Sequence, residues 1–373
     1  MKTAKKINIR NSNILYKKAL KIIPYGSQTY SKGVKAFSDG VSPKFLAKGL
    51  GCEVWDVDGN KFIDYVMANQ PLILGYADKD VNNAVKKQLS LGSTFSVSNK
   101  LEIDVAELLV KHIPDAEGAR FGKNGADATA IAVRLSRAIT KRDHIAFCGY
   151  HGWHDWFIGT TDLNSGIPKF NNQLAHSFAY NDLPSLEKIF SKYKNKIACI
   201  IMEPITVNGP MSKPSGSTKW KDYNKNDNFL TDIKNLCRKN GSLLVFDEVV
   251  TGFRYDMGGA QKMFDVIPDL SCWAKAMSNG IPVSAITGKS EYIKYLEKTF
   301  FSFTYGGDCI GLAAAKATIN KIEKEKVIDH LYKVGSRLKK GMNDLAKIYD
   351  LDDIIACAGY PCRSVMTIKK VGK

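Results

Sequence analysis

Short runs of apolar residues alternate with helix-like segments through the middle of the chain. The runs have the length of strands, and their unbroken apolar character predicts burial on both faces. The intervening segments repeat apolar residues at helical spacing. This alternation is typical of an α/β fold with a mainly parallel central sheet and helices on both faces. The predicted strands span residues 145–148, 198–202, 243–247, 270–273 and 283–287, and the predicted helices between them span residues 126–139, 183–193 and 229–240.

The two ends of the chain carry different patterns. A helix is predicted over residues 12–23, and alternation around Asp58-Gly59 predicts a β-hairpin over residues 52–64. Further helices are predicted over residues 78–91, 101–112, 309–325 and 327–349, before apolar segments at 354–355 and 364–368. We expect residues 1–60 to contribute to a smaller α+β domain and residues 61–325 to form the large domain. Residues 326–373 would begin the C-terminal small domain, which we expect to be incomplete because the chain stops soon afterwards.

Charge and composition limit the class of protein. The chain has 373 residues and a net charge of +17, from 54 basic and 37 acidic side chains. The lysines are spread along the sequence, so we expect a solvated surface and no specific nucleic-acid partner. Apolar runs fall short of the ~20 residues that span a bilayer, and no signal-like block follows the basic N terminus. We therefore expect a cytoplasmic protein without membrane contact. Eight cysteines without a Cys-x-x-Cys pair indicate reduced, buried thiols and no metal site.

Two charged residues lie at or just after the carboxyl ends of predicted buried strands. Asp247 ends the strand 243–247, where an unpaired carboxylate would be costly, so it needs a cationic partner. That partner could be Arg254, a helix N terminus or the protonated nitrogen of a bound pyridine ring. Lys275 follows the strand 270–273, and an amine in a partly apolar pocket is easier to deprotonate and can form an imine. By itself, Lys275 would be interpreted as one of many surface lysines.

Three further segments could contact a phosphorylated aromatic ligand. Residues 121–128 run directly into a helix, whose free N–H groups could hold a phosphate or could simply form a cap. Tyr150, in Gly149-Tyr150-His151-Gly152, follows a strand and could stack on a ring or belong to the core. Residues 302–307 precede a helix and supply a hydroxyl group.

In this order and spacing, the segments resemble the class III, fold-type I aminotransferases that use pyridoxal phosphate, in particular the branch related to glutamate-1-semialdehyde 2,1-aminomutase. The resemblance covers nearly the whole chain and includes residues 54–60 and 72–75. It implies the fold-type I architecture and a Schiff base between Lys275 and pyridoxal phosphate. Lys275 would also move the substrate proton, and Asp247 would pair with the pyridine nitrogen. The substrates would be a small-molecule amine donor and a carbonyl acceptor.

The resemblance also implies which residues hold the cofactor. Tyr150 and Val249 would lie on opposite faces of the ring, and Thr304 would reach the phosphate of a neighbouring subunit, which implies a homodimer with shared active sites. Glu203 and Asn208 would line the edge of the pocket. The full predicted cofactor set is Asn124, Gly125, Ala126, Tyr150, His151, Glu203, Asn208, Asp247, Val249, Lys275 and Thr304.

The chain differs from the aminomutases where they contact substrate. Lys32 stands where they carry a carboxylate-binding arginine, and lysine cannot present the same bidentate fork. Asn69 stands where they carry a pocket tryptophan. These differences favour transamination between two molecules, with Lys32 and Asn69 as candidate substrate contacts. The alternatives are intramolecular aminomutase activity and a truncated protein that binds the cofactor without turnover.

Overall fold

The computed structural model describes residues 7–368. Its N-terminal region consists of a helix followed by a small sheet. The carboxylate of Asp58, in the tip of the predicted hairpin, accepts the N–H groups of Asn11 and Ser12 at 2.6 and 2.9 Å. These bonds satisfy N–H groups that the first turn of a helix leaves free. The hairpin prediction is confirmed, and a third strand precedes it. The elements are α1 (Arg10–Ile22), β1 (Leu46–Leu50), β2 (Glu53–Asp56) and β3 (Lys61–Ile63), with 3₁₀ turns at Pro24–Gly26, Tyr30–Lys32 and Val34–Ala36.

A seven-stranded sheet forms the centre of the molecule. Its spatial order is β4-β10-β9-β8-β7-β5-β6, and β10 alone runs antiparallel to its neighbours. All five predicted strands are present, and two edge strands, β4 and β6, were not predicted. The strands are β4 (Gly118–Gly122), β5 (His144–Cys148), β6 (Ala175–Ser177), β7 (Ile197–Met202), β8 (Leu243–Asp247), β9 (Leu270–Trp273) and β10 (Ser284–Gly288).

Helices connect these strands, and several begin at side-chain caps. Asn99 and Glu102 form a reciprocal capping box at the start of α3, and Asn228 accepts two N–H groups at the start of α8. The helices are α2 (Lys79–Leu89), α3 (Lys100–His112), α4 (Gly125–Thr140), α5 (Asp155–Ile158), α6 (Phe170–Gln173), α7 (Leu183–Lys192), α8 (Phe229–Asn240), α9 (Gly259–Phe264), α10 (Ser290–Ile293) and α11 (Cys309–Lys324), with 3₁₀ turns at Trp220–Asp222, Lys275–Ser278 and Lys294–Glu297.

Successive residues of the central strands face different helices, which makes the sheet the middle layer. Ile200 and Phe246 pack in one apolar cluster with α7 and α8, whereas Ile201 and Val245 pack in a second cluster with α4. A third cluster joins Trp273 to α3 and α11. Side chains alternate across a strand, so unbroken apolar runs supply both faces. The predicted α/β architecture follows from this packing.

The C-terminal part of the described chain is a long helix and a hairpin: α12 (Val327–Ile348), β11 (Ile355–Tyr360) and β12 (Arg363–Ile368). Tyr360 is 3% exposed and packs in the cluster with α7 and α8. Asn343 of α12 holds the hairpin by accepting the Cys357 N–H at 2.8 Å. The hairpin is thus fixed against the large sheet, and the proposed domain boundaries remain predictions.

Membrane-spanning and cysteine predictions can be compared with the described residues. Within residues 7–368, no helix has the length and apolar character needed to cross a bilayer. All eight cysteines are free thiols. Six are buried as predicted, whereas Cys52 is exposed and Cys362 is partly buried.

Candidate active site

The carboxyl ends of β5, β7, β8 and β9 open onto one cavity of about 450 Å³. Parallel pairing brings these strand ends to the same edge of the sheet, where ligands bind in open α/β folds. Nine of the predicted cofactor residues line the cavity: Asn124, Gly125, Ala126, Tyr150, His151, Glu203, Asp247, Val249 and Lys275. Residues that are far apart in sequence therefore form one site.

Asp247 is the buried carboxylate of this cavity, with 4% of its surface exposed. Its Oδ2 lies 2.8 Å from Nδ1 of His151, and its Oδ1 accepts the Val249 N–H at 3.1 Å. Arg254 does not pair with Asp247, because its guanidinium donates to the carbonyl groups of Val250 and Gln70. The protein partner of Asp247 is therefore His151, and the carboxylate keeps acceptor capacity for a further donor.

The ring of His151 is fixed by aromatic neighbours. It stacks on Trp156 with centroids 5.9 Å apart and meets Phe157 edge-on at 5.4 Å. Thr129 donates its hydroxyl hydrogen to the His151 carbonyl at 2.7 Å. These contacts hold Nδ1 toward Asp247, while the buried Nε2 has no hydrogen-bond partner among the residues described. His151 therefore orients and stabilises the carboxylate.

Lys275 lies where β9 leaves the sheet. Its backbone has φ 46°, an uncommon conformation for a non-glycine residue, and it begins a short 3₁₀ turn. Burial lowers the pKa of Lys275, and the nearby carboxylates of Asp247 and Glu203 partly oppose this effect. The lower pKa makes the neutral, nucleophilic amine easier to form than at a surface lysine.

The N terminus of α4 provides the second half of the cavity wall. The carboxylate of Asp127 accepts the N–H groups of Asn124 and Lys123 at 2.7 and 3.0 Å. The N–H groups of Gly125 and Ala126 have no acceptor within residues 7–368. A helix N terminus with free N–H groups fits an anion such as phosphate.

Gly125 also sets how close the helix comes to the neighbouring strand. A Cβ atom at Gly125 would lie 2.8 Å from a methyl group of Val249. A larger residue would push the start of α4 away from Val249, so glycine at this position keeps the two cavity walls together.

Glu203 and Tyr150 form the edge of the cavity. The Oε1 atom of Glu203 accepts the Tyr150 N–H at 2.9 Å, and burial raises the pKa of Glu203. The Tyr150 side chain is 64% exposed and meets Phe157 edge-on. Its aromatic face is therefore accessible at the mouth of the cavity.

Four predicted site residues do not line this cavity in a single chain. Asn208 is exposed in the loop after β7, and Lys32 is exposed in a 3₁₀ turn. Asn69 donates to the hydroxyl oxygen of Ser31 at 2.7 Å, next to Lys32. Thr304 is exposed in a separate groove. Their roles in binding remain predictions.

The cavity is also lined by residues that the sequence analysis did not assign to the site, among them Gln70, Lys123 and Arg363. Lys123 pairs with Asp308 at 2.7 Å. Lys123 lies within residues 121–128, the predicted phosphate segment, so the sequence indicated its position although it was not named as a site residue. Arg363 lies on β12, outside every predicted site segment, and no local pattern indicated its place.

The family model for class III aminotransferases matches residues 36–360. The chain belongs to the class III aminotransferases. This aminotransferase is 36% identical over 358 residues to the glutamate-1-semialdehyde 2,1-aminomutase of Francisella philomiragia, covering 92% of this chain and 79% of that protein. It is 34% identical over 370 residues to a 3-aminobutyryl-CoA aminotransferase of Cloacimonas acidaminovorans, covering 98% and 86%.

Solved structures share the fold of this aminotransferase. The FumI protein of Sphingopyxis sp., described as a pyridoxal phosphate internal aldimine form, has a TM-score of 0.85 at 26% identity, covering 96% of this chain and 83% of that one. An ω-transaminase from Sphaerobacter thermophilus has a TM-score of 0.83 at 24% identity, covering 98% and 85%. The predictions of the family, the fold-type I architecture, enzyme activity and pyridoxal phosphate are confirmed.

The cavity of the aminotransferase fits this cofactor. The free N–H groups of Gly125 and Ala126 suit its phosphate, the amine of Lys275 suits its aldehyde, and the carboxylate of Asp247 suits its ring nitrogen. These three groups line the same cavity, as a ligand with these three functions requires.

Glu248 follows Asp247 in sequence but belongs to the core of the aminotransferase. It is fully buried, and its carboxylate accepts the N–H groups of Ala260 and Gln261 at 2.9 and 2.8 Å and the hydroxyl of Thr251. Burial raises the pKa of Glu248 from 4.5 to about 7. Between these pH values the folded protein binds a proton that the unfolded chain does not. The contribution of protonated Glu248 to the free energy of unfolding is therefore complete below pH 4.5 and is lost as the pH rises to about 7.

A Glu248→Gln variant tests this coupling. The variant cannot titrate at this position, so the wild-type minus variant difference in unfolding free energy should fall by up to roughly 3 kcal/mol as the pH rises through that interval. Urea unfolding of both proteins at each end of the interval measures it. A difference that does not change with pH would contradict the assignment.

Proposed function

We propose that the chain transfers an amino group from a small-molecule amine to a separate carbonyl compound, with Lys275 as the catalytic lysine. The observation that carries the choice over an aminomutase is Lys32. By the resemblance to the aminomutases, it stands where they carry a carboxylate-binding arginine, and its side chain is exposed and does not line the cavity. Lysine also lacks the planar fork that binds a carboxylate through two hydrogen bonds.

The roles of the residues follow from their positions. When bound, pyridoxal phosphate supplies an aldehyde and an electron-accepting ring. Lys275 would hold the cofactor through its Nζ atom and, as a neutral amine, would accept the proton from the substrate carbon. Asp247, held by His151, would pair with the ring nitrogen. Gly125 and Ala126 would bind the phosphate through their backbone N–H groups.

Supplying the two kinds of substrate separately tests the choice between transferase and aminomutase. Protein loaded with pyridoxamine phosphate should aminate a keto acid and then require an external amine to react again. With glutamate-1-semialdehyde alone, we expect no sustained formation of 5-aminolevulinate. Sustained formation would support the aminomutase, and no reaction with any amine or carbonyl compound would support a protein that binds the cofactor without turnover.

We also propose that the active enzyme is a homodimer. Thr304 lines a groove of about 990 Å³ that is separate from the cofactor cavity. Apolar side chains in this groove are exposed, including Phe95 at 45%, Val97 at 80% and Ile103 at 61%. A second copy that covers this groove would bury these side chains and place Thr304 at an interface, which supports its predicted contact with the neighbouring phosphate.

An Ile103→Glu variant tests the dimer. A charge in the covered groove should shift the protein to the monomer, because burying an unpaired charge is strongly unfavourable. Light scattering after size exclusion measures the mass, and titration measures the affinity for pyridoxal phosphate, which should fall with dissociation if sites are shared. Leu163→Glu, at a side chain that is 64% exposed and outside the groove, is the matched control. A monomeric wild type, or a monomeric variant with unchanged cofactor affinity, would contradict shared sites.

A further inference from the structure

Arg363 brings a positive charge from the C-terminal hairpin to the cofactor cavity. It is the first residue of β12 and lines the cavity together with Lys275 and Glu203. The Nε and Nη1 atoms of its guanidinium are buried and have no hydrogen-bond partner among the described residues. Burial lowers the pKa of Lys275 and raises the pKa of Glu203, and the charge of Arg363 has a smaller lowering effect on both.

The other charged groups of the cavity are already engaged. Lys123 pairs with Asp308, and Asp247 pairs with His151. Glu203 accepts the N–H of Tyr150. Arg363 therefore differs from these groups because it retains unused donors.

Arg254 offers a direct comparison, because it is a second arginine close to the site and is buried, whereas Arg363 is partly buried. Its guanidinium donates to the carbonyl groups of Val250 and Gln70, as a structural arginine does. Arg363 interacts with the hydroxyl group of Tyr255, but its Nε and Nη1 atoms have no hydrogen-bond partner in the described part of the chain. Leaving a buried charged donor unsatisfied is costly, so these atoms suit an acceptor that arrives with the substrate.

The position of Arg363 is fixed by the fold. Tyr360, three residues earlier, is buried in the core, and Asn343 holds Cys357 on the same hairpin through two hydrogen bonds at 2.8 and 3.2 Å. A guanidinium on a rigid hairpin can recognise a planar anion through paired N–H donors.

We propose that Arg363 binds a carboxylate of the amine substrate. This inference rests on the proposed function, because Lys275 marks where the amine reacts. Lys275 and Arg363 line the same cavity, so a molecule with an amine at one end and a carboxylate at the other can contact both. The proposal assigns carboxylate recognition to β12, in place of the exposed Lys32.

Binding of an unreactive carboxylate tests this assignment without turnover. Calorimetric titration of the holoenzyme uses butanoate, pentanoate and hexanoate. Their chain lengths cover different distances between the carboxylate and the end of the substrate that reacts at Lys275. We expect the best of these to bind the Arg363→Gln variant about 10- to 100-fold more weakly than wild type, the range for a lost hydrogen bond to a charged group. Arg363→Lys should recover only part of the affinity, because its ammonium lacks the planar fork. Arg337→Gln, at an exposed arginine of α12, is the control with the same change in charge.

Half-reactions provide the second readout. Loss of the cofactor absorption band would be followed with ω-amino acids and with alkylamines of the same chain length. Arg363→Gln should lose its preference for the amino acids over the alkylamines, whereas Arg337→Gln should keep it. The proposal is overturned if no carboxylate binds the wild type, if Arg363→Gln binds carboxylates equally well, or if its affinity for pyridoxal phosphate falls in the same proportion. If no amine reacts but carboxylate binding still depends on Arg363, the proposed function fails and the assignment of Arg363 holds.

Discussion

Lys275→Ala is expected to abolish the covalent attachment of pyridoxal phosphate and to slow the reaction with any amine by at least about 10²- to 10⁴-fold, the contribution of a positioned acid–base group. Burial lowers the pKa of Lys275, which favours the neutral amine that reacts with an aldehyde. Alanine has no such group. Borohydride reduction followed by peptide mass spectrometry measures attachment, and loss of the cofactor absorption band measures the reaction.

Lys123→Ala is the matched control for that experiment. Lys123 lines the same cavity, but its ammonium pairs with Asp308 at 2.7 Å. We expect the control to retain the modified peptide that contains Lys275. The assignment would be wrong if Lys275→Ala still formed a reducible adduct at an equal yield. It would also be wrong if the wild-type adduct were found on Lys123.

The layers of the fold could be predicted from the sequence because burial leaves a local pattern. β7 and β8 are apolar at nearly every position, and both faces of each are covered by helices. β4 has the sequence Gly-Ala-Arg-Phe-Gly, lies at the edge of the sheet and is only partly buried. It therefore lacks the continuous apolar run that predicted the central strands. β6 has three residues, too few for alternation to be recognised.

The site could be predicted in part, for a related reason. Asp247 and Lys275 follow buried strands, and Gly125 stands at a helix start, so each has a signal in its own segment. The contact between His151 and Asp247 joins residues 96 positions apart and depends on the pairing of β5, β7 and β8. Arg363 depends on how the C-terminal hairpin packs against the sheet. Contacts of this kind are set by tertiary structure and have no local period.

The second large effect is expected at Asp247. Asp247→Asn should slow the amine half-reaction by roughly 10²- to 10⁴-fold, because removing one partner of a buried charge pair costs about 3–5 kcal/mol. The amide keeps the size of the side chain but cannot hold a positive charge on the ring nitrogen, which the ring needs in order to accept electrons. Single-turnover absorbance measurements give the rate, and titration gives the cofactor affinity.

Asp269→Asn is the matched control. The Asp269 carboxylate accepts the Leu244 N–H at 2.7 Å, near the start of β8 and at the opposite end of the strand from Asp247. This variant should lose stability and keep the half-reaction rate of the protein that remains folded. Equal losses of rate in both variants would show that Asp247 acts through the stability of the sheet and would contradict its assigned role.

His151→Phe separates the position of the carboxylate from its charge. Phenylalanine can keep the stacking on Trp156 and the edge contact with Phe157, but it removes the 2.8 Å hydrogen bond to Asp247. We expect a loss of about 10- to 100-fold, smaller than for Asp247→Asn, in line with one hydrogen bond to a charged group. Single-turnover absorbance gives the rate, and circular dichroism gives the folded fraction. A rate that falls only in proportion to the folded fraction would mean that His151 only supports packing, whereas a lower rate in fully folded protein would show that it positions the Asp247 carboxylate.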